Sequence, residues 1–482
     1  MRLAVLAGWV GMFGVVAWLA ASPEPLAMDA PPEVFSAHRA YAQLARILGD
    51  ERPHPTGSAE NAAVRSRLLD ELADLGLDAE VQRVGPVHNV VARLEGREPG
   101  AVLLMGHYDS VPTGPGASDN GVGVVTLLET ARALQREVPL RHPVVLLFDD
   151  GEEQGLWGAQ AFREEHRWAS EVQAVLDFEA RGVTGPSLMF QTIGPSGWMV
   201  AEFAAVAPQP VSSSGFAAVY ERMPNDTNLS VFRDDGIAGL DFAFIGGLRH
   251  YHQPTDDLAH VDLGTLQHHG SSALALTRAI ADSDLGAGRT DRRVFFDVLS
   301  LFVVGWPQPW SVPLAALALL AAVLLWREWR GAGSVLGTTV VGAVAGGGAV
   351  WALGVPFAPA SPWPGILAAQ AVGVATLALW PAQRERSGGV WLVWSVAGVA
   401  CAVTLPGLSY LFIVPALAAV GGRAPVVGAL VASALWFRLH LLVPDALGAS
   451  LGPLHGATVG WLVSAWVPVL TAGDVSDMED GG

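Results

Sequence analysis

Residues 101–120 read AVLLMGHYDSVPTGPGASDN. The uncharged run from Ala101 to Met105 has the length and composition of a buried strand, and it stops abruptly at His107, Asp109 and Asp119. Three further runs have the same form: PVVLLF (143–148) before Asp149, AVLDF (174–178) before Glu179, and LDFAFI (240–245) before Gly246. Between the first two, GVGVVTLLETARALQRE (121–137) sets Val122, Val125, Leu128 and Leu134 near one helical face. Strands alternating with helices predict an α/β sheet covered on both faces. In such sheets the chemistry collects beyond the carboxyl ends of the strands. There this sequence places His107, SDN (118–120), DDGEEQG (149–155), Glu179 and RHYHQPTDD (249–257).

Taken singly, a histidine at a strand end is more often a surface residue than a ligand, and DDGEE reads equally well as an acidic turn. Together they pose a problem of charge. Burying Asp119, Glu152, Glu153 and Glu179 side by side is prohibitive through desolvation and like-charge repulsion unless cations sit among them. Imidazole with carboxylate is a donor set typical of zinc. Asp119, Glu153 and Glu179 supply three negative charges and a bridging hydroxide a fourth, which balances two Zn2+ ions. A pair of ions about 3.5–4 Å apart, sharing Asp119 as the bridging carboxylate, would activate water and polarise a carbonyl.

The chain has 482 residues, more than one ordinary core holds. Charged residues make up 15% and the mean hydropathy is +0.37, yet the formal net charge is −18. The carboxylates and the apolar runs are therefore segregated. Residues 1–22 are expected as an N-terminal transmembrane anchor, with a cleaved signal peptide as the rival reading of LAVLAGWVGMFGVVAWLAA (3–21). Residues 23–293 carry most of the acid and form the mixed globular domain. The stretch 294–308 is aromatic but interrupted by Asp297, and reads as an interfacial linker. Residues 309–472 are expected as a multi-span α-helical membrane domain of about seven helices, near 309–326, 335–353, 363–380, 389–404, 405–421, 425–443 and 456–472. The remaining residues, 473–482, are read as an acidic cytoplasmic tail. Arg2, REWR (327–330), RER (384–386) and Arg423 fall on one side of this arrangement, so the expected product is a multi-pass protein with its acidic domain extracytoplasmic, periplasmic, extracellular or in an organelle lumen. The lipid bilayer is one expected partner. Nucleic acid is not, because no basic block is present. Arg438 stands near the end of an apolar run and is expected to snorkel. The single cysteine, Cys401, allows no intramolecular disulfide.

GHYDSVPTGPGASDNGVGVVTLLE, LLFDDGEEQGLWGAQAF, DFEARGVTGPSLMF and YHQPTDDLAHVD resemble, in order and spacing, the motifs of the co-catalytic di-zinc aminopeptidases, zinc exopeptidases of the MH clan related to glutamate carboxypeptidase and the transferrin-receptor ectodomain. The apolar second half is similar to a multi-span vacuolar and endoplasmic-reticulum membrane metallopeptidase subgroup. The resemblance implies a mixed-sheet domain sandwiched by helices over residues 23–293. It implies that His107 and Glu179 bind one zinc, Glu153 and His252 the other, and Asp119 both. Glu152 would be the general base and then the proton donor to the leaving amine. Asp109 would accept the second imidazole proton of His107, Tyr251 would offer its hydroxyl to the oxyanion, and Asp256 would orient the loop holding His252. The substrates implied are peptides with a free N-terminus; oligomeric state stays open. His250 and His260 read as surface or supporting residues.

Asp177, Gln253 and PNDTN (224–228) depart from the usual pattern without removing a ligand or the base. Alternatives remain. A carboxypeptidase-like relative would need a cation for the terminal carboxylate, for which Arg181, Arg222 and Arg249 are candidates. A glutaminyl cyclase has a similar ligand set but should lack the GASDNGVGVV context. A silent receptor should have lost ligands or the base, whereas all six positions match, and a transporter should show paired ionisable groups deep in its spans, of which few exist beyond Arg438.

Overall fold

The run at 101–107 forms a strand in which every residue is buried, in the middle of a seven-stranded sheet. In chain order the strands are β1 (Ala79–Val84), β2 (Val87–Leu94), β3 (Ala101–His107), β4 (Val144–Asp149), β5 (Val172–Ala180), β6 (Leu188–Ile193) and β7 (Ala238–Phe244). Across the sheet they lie in the order β1-β2-β4-β3-β5-β7-β6. β3 pairs in parallel with β4 and β5, and β5 with β7, while β1–β2, β2–β4 and β6–β7 are antiparallel. The sheet is mixed, as expected, and its four parallel strands are the four apolar runs of the sequence. Their carboxyl ends, His107, Asp149, Ala180 and Phe244, therefore share one edge. The computed structural model describes residues 2–223, 225–286, 291–325, 337–340, 370–371, 373–377, 389–421, 425–447 and 458–469.

The helix expected over 121–137 is α4 (Gly123–Leu134), buried at every position except Arg132. The one-faced pattern understated it, because α2 (Ala37–Leu48) and α8 (Leu263–Ala281) pack against it and hide its outer side. The charge this buries is matched: Glu129 accepts from Arg39 Nε at 2.8 Å and from Arg132 Nε at 2.6 Å. Residues 21–293 and 300–304 make up this sheet-containing unit.

The second unit comprises residues 1–20, 294–299 and 305–482. Its core gathers Trp9, Trp391, Trp394, Trp436, Phe437 and Trp466. The expected multi-span membrane domain is corrected here: among the described residues no helix is long and apolar enough to cross a membrane. The helices Ser311–Leu325, Gly389–Thr404 and Tyr410–Gly421 have 15, 16 and 12 residues. At about 1.5 Å per residue the described lengths fall short of a hydrocarbon core of roughly 30 Å, and each of these three helices abuts residues outside the described ones. Arg2–Leu19, the expected anchor, has 18 residues, and Pro425–Leu447 is interrupted by Arg438 and His440. Apolar side chains that read as lipid-facing are spent in part on protein packing. Arg438 does not snorkel either: it is buried, with Nε 3.4 Å from Asp297 Oδ2. The spans expected near 335–353 and 363–380 fall mostly, and the tail 473–482 wholly, outside the described residues.

Candidate metal centre

Each polar group at the strand edge is delivered by a distinct local device. β3 ends on His107, whose Nδ1 lies 3.0 Å from the carbonyl oxygen of Asp109 and 3.4 Å from its Oδ1. A carbonyl can only accept, so Nδ1 carries a proton, and Nε2 is the ring atom left to bind a metal. That Nε2 faces Asp119 Oδ1 at 3.3 Å and Glu179 Oε2 at 3.7 Å.

Asp119 is placed by the segment Ala117–Val122, which is held from two sides. Asp256 accepts the backbone N–H groups of Ser118 (2.8 Å) and Asp119 (3.1 Å). Asn120 donates to the carbonyl of Phe178 at 2.8 Å and accepts from Gly123 N–H at 3.0 Å. Gly123 must be glycine here, since a Cβ would meet the Phe178 carbonyl oxygen at 2.4 Å. Asp256, expected to orient the His252 loop, thus ties that loop to the one bearing Asp119. Burial and the charge of Asp119 lift its carboxyl to about 7.

The acidic run 149–153 divides into braces and site groups. Asp149 accepts twice from Asn228 Nδ2, at 3.0 and 2.9 Å. Asp150 accepts from His88 N–H (2.9 Å), the Thr56 hydroxyl (2.8 Å) and Asn61 Nδ2 (3.1 Å). Gly151, at φ +89°, then turns the chain. The next two backbone N–H groups, of Glu152 and Glu153, donate to Asp109 Oδ1 and Oδ2 at 3.2 and 3.3 Å. Asp109 therefore holds three functional groups at once, of which the sequence suggested only His107.

His252 adopts φ +58°, a left-handed conformation uncommon for a residue other than glycine. Its Nε2 lies 3.2 Å from both Asp119 Oδ2 and Glu153 Oε1. Tyr251 stacks on the imidazole with ring centroids 3.7 Å apart. Burial, then the charges of Asp119 and Glu153, push its hydroxyl well above the usual phenolic range.

The ligand atoms of His107, Asp119 and Glu179 lie within 4.8 Å of one another, as do those of Asp119, Glu153 and His252. A third grouping joins His107 with Glu152 and Glu153. The first two triads share Asp119. Their protonation reflects crowding. Burial, offset only in part by His107, pushes Glu179 and Glu152 well above the usual carboxylate range. Burial also raises Glu153, whereas for Asp119 the same penalty is outweighed by His107 and His252, which hold it low. Burial opposes a charge on His252, but Asp119 and Glu153 prevail and lift it to about 10.

These residues fit a metal on the structure's own showing. Asp119 Oδ2, Glu153 Oε1, Glu179 Oε1 and His252 Nε2 are all buried without a hydrogen-bond partner, and native proteins seldom leave buried polar atoms so. Oxygen and imidazole nitrogen donors in threes are what zinc takes.

The fold and the site together define an α/β protein with a candidate metal site at one edge of its sheet. Residues 89–277 match the family model described as peptidase family M28. Endoplasmic reticulum metallopeptidase 1 of Rattus norvegicus is 33% identical over 325 residues, 60% of this chain and 36% of that protein. Vacuolar membrane protease of Eremothecium gossypii is 30% identical over 312 residues, 57% of this chain and 30% of that one. The chain spans about a third of the length of these relatives. Among solved structures, a glutaminyl cyclase of Porphyromonas gingivalis is 23% identical with a TM-score of 0.43, covering 50% of this chain and 98% of its own. A zinc aminopeptidase from Bacillus subtilis is 15% identical with a TM-score of 0.41, covering 51% and 94%.

Proposed function

We propose that the chain is a zinc-dependent exopeptidase that removes N-terminal residues from peptides. His107 and Glu179 would hold one ion, Glu153 and His252 a second, and Asp119 would serve both. The observation that carries the reading is the pair of donor triads with Asp119 in common, in a chain whose residues 89–277 match a peptidase family model.

Two zinc ions bound there would polarise the scissile carbonyl and make a water acidic. Glu152 takes the proton of the attacking water and returns it to the leaving amine. Its burial among carboxylates raises its proton affinity, which suits a group that must hold a proton between the two steps. Tyr251, kept protonated, donates its hydroxyl hydrogen to the developing oxyanion. Asp109 fixes the His107 ring and the turn bearing Glu152 and Glu153. The surplus of carboxylate suits a free substrate ammonium, which restricts cutting to chain ends. The relatives' names, an endoplasmic reticulum metallopeptidase and a vacuolar membrane protease, support association of this chain with a membrane.

The test pairs metal content with hydrolysis of free and N-acetylated peptides. Wild type should carry two equivalents of zinc and cut the free peptide preferentially. Glu152→Gln should lower turnover by about 10²–10⁴-fold with its zinc retained. Equal rates on blocked and free peptides would refute the aminopeptidase reading.

A further inference from the structure

Two residues beyond Glu179 stands Arg181, where β5 leaves the sheet; its backbone N–H donates to the carbonyl of Phe244 at 3.0 Å. Its guanidinium lies 5.7 Å from the centroid of the Tyr251 ring, which in turn stacks on His252. The cation thus sits one aromatic layer away from a candidate ligand. A second aromatic residue, Tyr220, feels the charges of both Glu179 and Arg181 and meets Phe190 edge-on at 4.8 Å.

Arg181 lacks the carboxylate partner that Arg39, Arg93 and Arg132 have. Arg39 and Arg132 bind Glu129, and Arg93 binds Glu171. Among the described residues Arg181 forms no ion pair, and its buried Nε has no hydrogen-bond partner. This is notable in a chain with 46 acidic and 28 basic residues, where a carboxylate is seldom far away. The other two arginines that a substrate carboxylate could use are engaged: Arg222 donates to the Ala218 carbonyl at 2.5 Å and Arg249 to His250 Nε2 at 2.9 Å.

An unpaired guanidinium has a specific use beside a site lined by Asp119, Glu152, Glu153 and Glu179. Metal ions would balance Asp119, Glu153 and Glu179, which leaves the Glu152 carboxylate to disfavour an anionic substrate, and a planar fork of N–H donors is the side chain that offsets this by binding a carboxylate in two-point contact. We propose that Arg181 is a specificity-determining residue that binds a carboxylate of the substrate, so that peptides bearing a free acid next to the scissile bond are preferred. The proposal rests on the exopeptidase reading of the metal centre. Two sources offer the same chemistry: an acidic first side chain, and the terminal carboxylate of a dipeptide.

Three peptides separate them: glutamyl-glycinamide, leucyl-glycine and leucyl-glycinamide, the last with no carboxylate. Wild type should favour one of the first two over the third by at least about tenfold in kcat/KM, a ratio ordinary for one charged contact. Arg181→Gln should bring that ratio to within about twofold of unity, and Arg181→Lys should retain part of it. A preference for glutamyl-glycinamide identifies the side chain as the carboxylate read, and one for leucyl-glycine the chain end. Equal handling of all three by wild type, or a preference that survives in Arg181→Gln, overturns the proposal. If none is cleaved, the exopeptidase reading fails separately. Calorimetric binding of the same peptides to wild type and Arg181→Gln then decides the role of Arg181: tighter binding of a carboxylate peptide that the substitution abolishes supports it, and equal affinities refute it.

Discussion

Replacing Asp109 by Asn changes almost no volume and removes one acceptor from the most heavily used carboxylate of the site. Its Oδ1 accepts from Glu152 N–H at 3.2 Å, and its Oδ2 from Glu153 N–H at 3.3 Å. The side chain is buried, so water cannot substitute. In the Asn variant the amide nitrogen must face one of the two N–H groups. The loss is one charge-assisted bond of about 1.5–3 kcal/mol together with an orphaned buried N–H, a total on the order of 3–5 kcal/mol. The turn can relieve part of this by swinging Glu153 away from His252. The loss then divides between zinc affinity, weakened about 10–100-fold, and fold stability, with Tm lower by about 2–4 °C for each kcal/mol left over. Chelator competition measures the first and a thermal melt the second. Zinc affinity within a factor of two of wild type, together with an unchanged Tm, would show that Asp109 does not hold the turn in place.

Asp119→Asn should remove both zinc equivalents, whereas Glu179→Gln should leave one; metal content after desalting decides, and one full equivalent on Asp119→Asn would mean that Asp119 serves a single ion. His269 is held by burial at about 3, against a usual value near 6.5. The unfolded chain therefore binds a proton that the native state refuses between those values, and stability falls as pH drops through that window by up to about 1.4 kcal/mol per pH unit. His269→Gln should flatten the dependence of urea stability on pH between 6 and 4, and identical slopes would sink the assignment. Gly158→Ala would set a Cβ 2.6 Å from both Asn89 Oδ1 and the Asp150 carbonyl oxygen. It should lower stability by about 1–3 kcal/mol, read by urea denaturation, with no loss expected only if the turn after β4 yields freely.

The strands were legible because four parallel strands, covered on both faces, must be continuous apolar runs, and such runs stand out in a chain. Their ends were legible for the complementary reason that several acids and imidazoles in buried positions need an explanation. The supports were not. Asp109 reaching the N–H groups of Glu152 and Glu153, or Asn120 bridging to Phe178, depends on backbone groups that every residue possesses. No residue type or spacing marks which carboxylate a turn will fold over. Asn228 shows the limit from the other side: PNDTN stood out as a departure, yet its partner Asp149 is 79 positions away and only the fold pairs them.

Apolar composition fails for a related reason in the second unit. Hydropathy reports that side chains avoid water, and does not tell whether lipid or protein replaces it. Trp9, Trp391, Trp394 and Trp466 are buried against protein neighbours, and three of them carry the mark of it: Trp9 Nε1 donates to Gln370 at 3.2 Å, Trp394 Nε1 to Ser464 at 3.1 Å and Trp466 Nε1 to Ser433 at 2.9 Å. Indole N–H groups paired inside a core fix which faces meet. The buried pair of Arg438 with Asp297 adds a charge that an apolar face turned toward lipid would not hold. Within Gly389–Thr404, Trp391 and Trp394 are buried in this way, whereas Leu317, Leu320 and Leu324 of Ser311–Leu325 stay exposed. The informative features were therefore the serines, the glutamine, the arginine and the aspartate within the runs, which a mean hydropathy averages away.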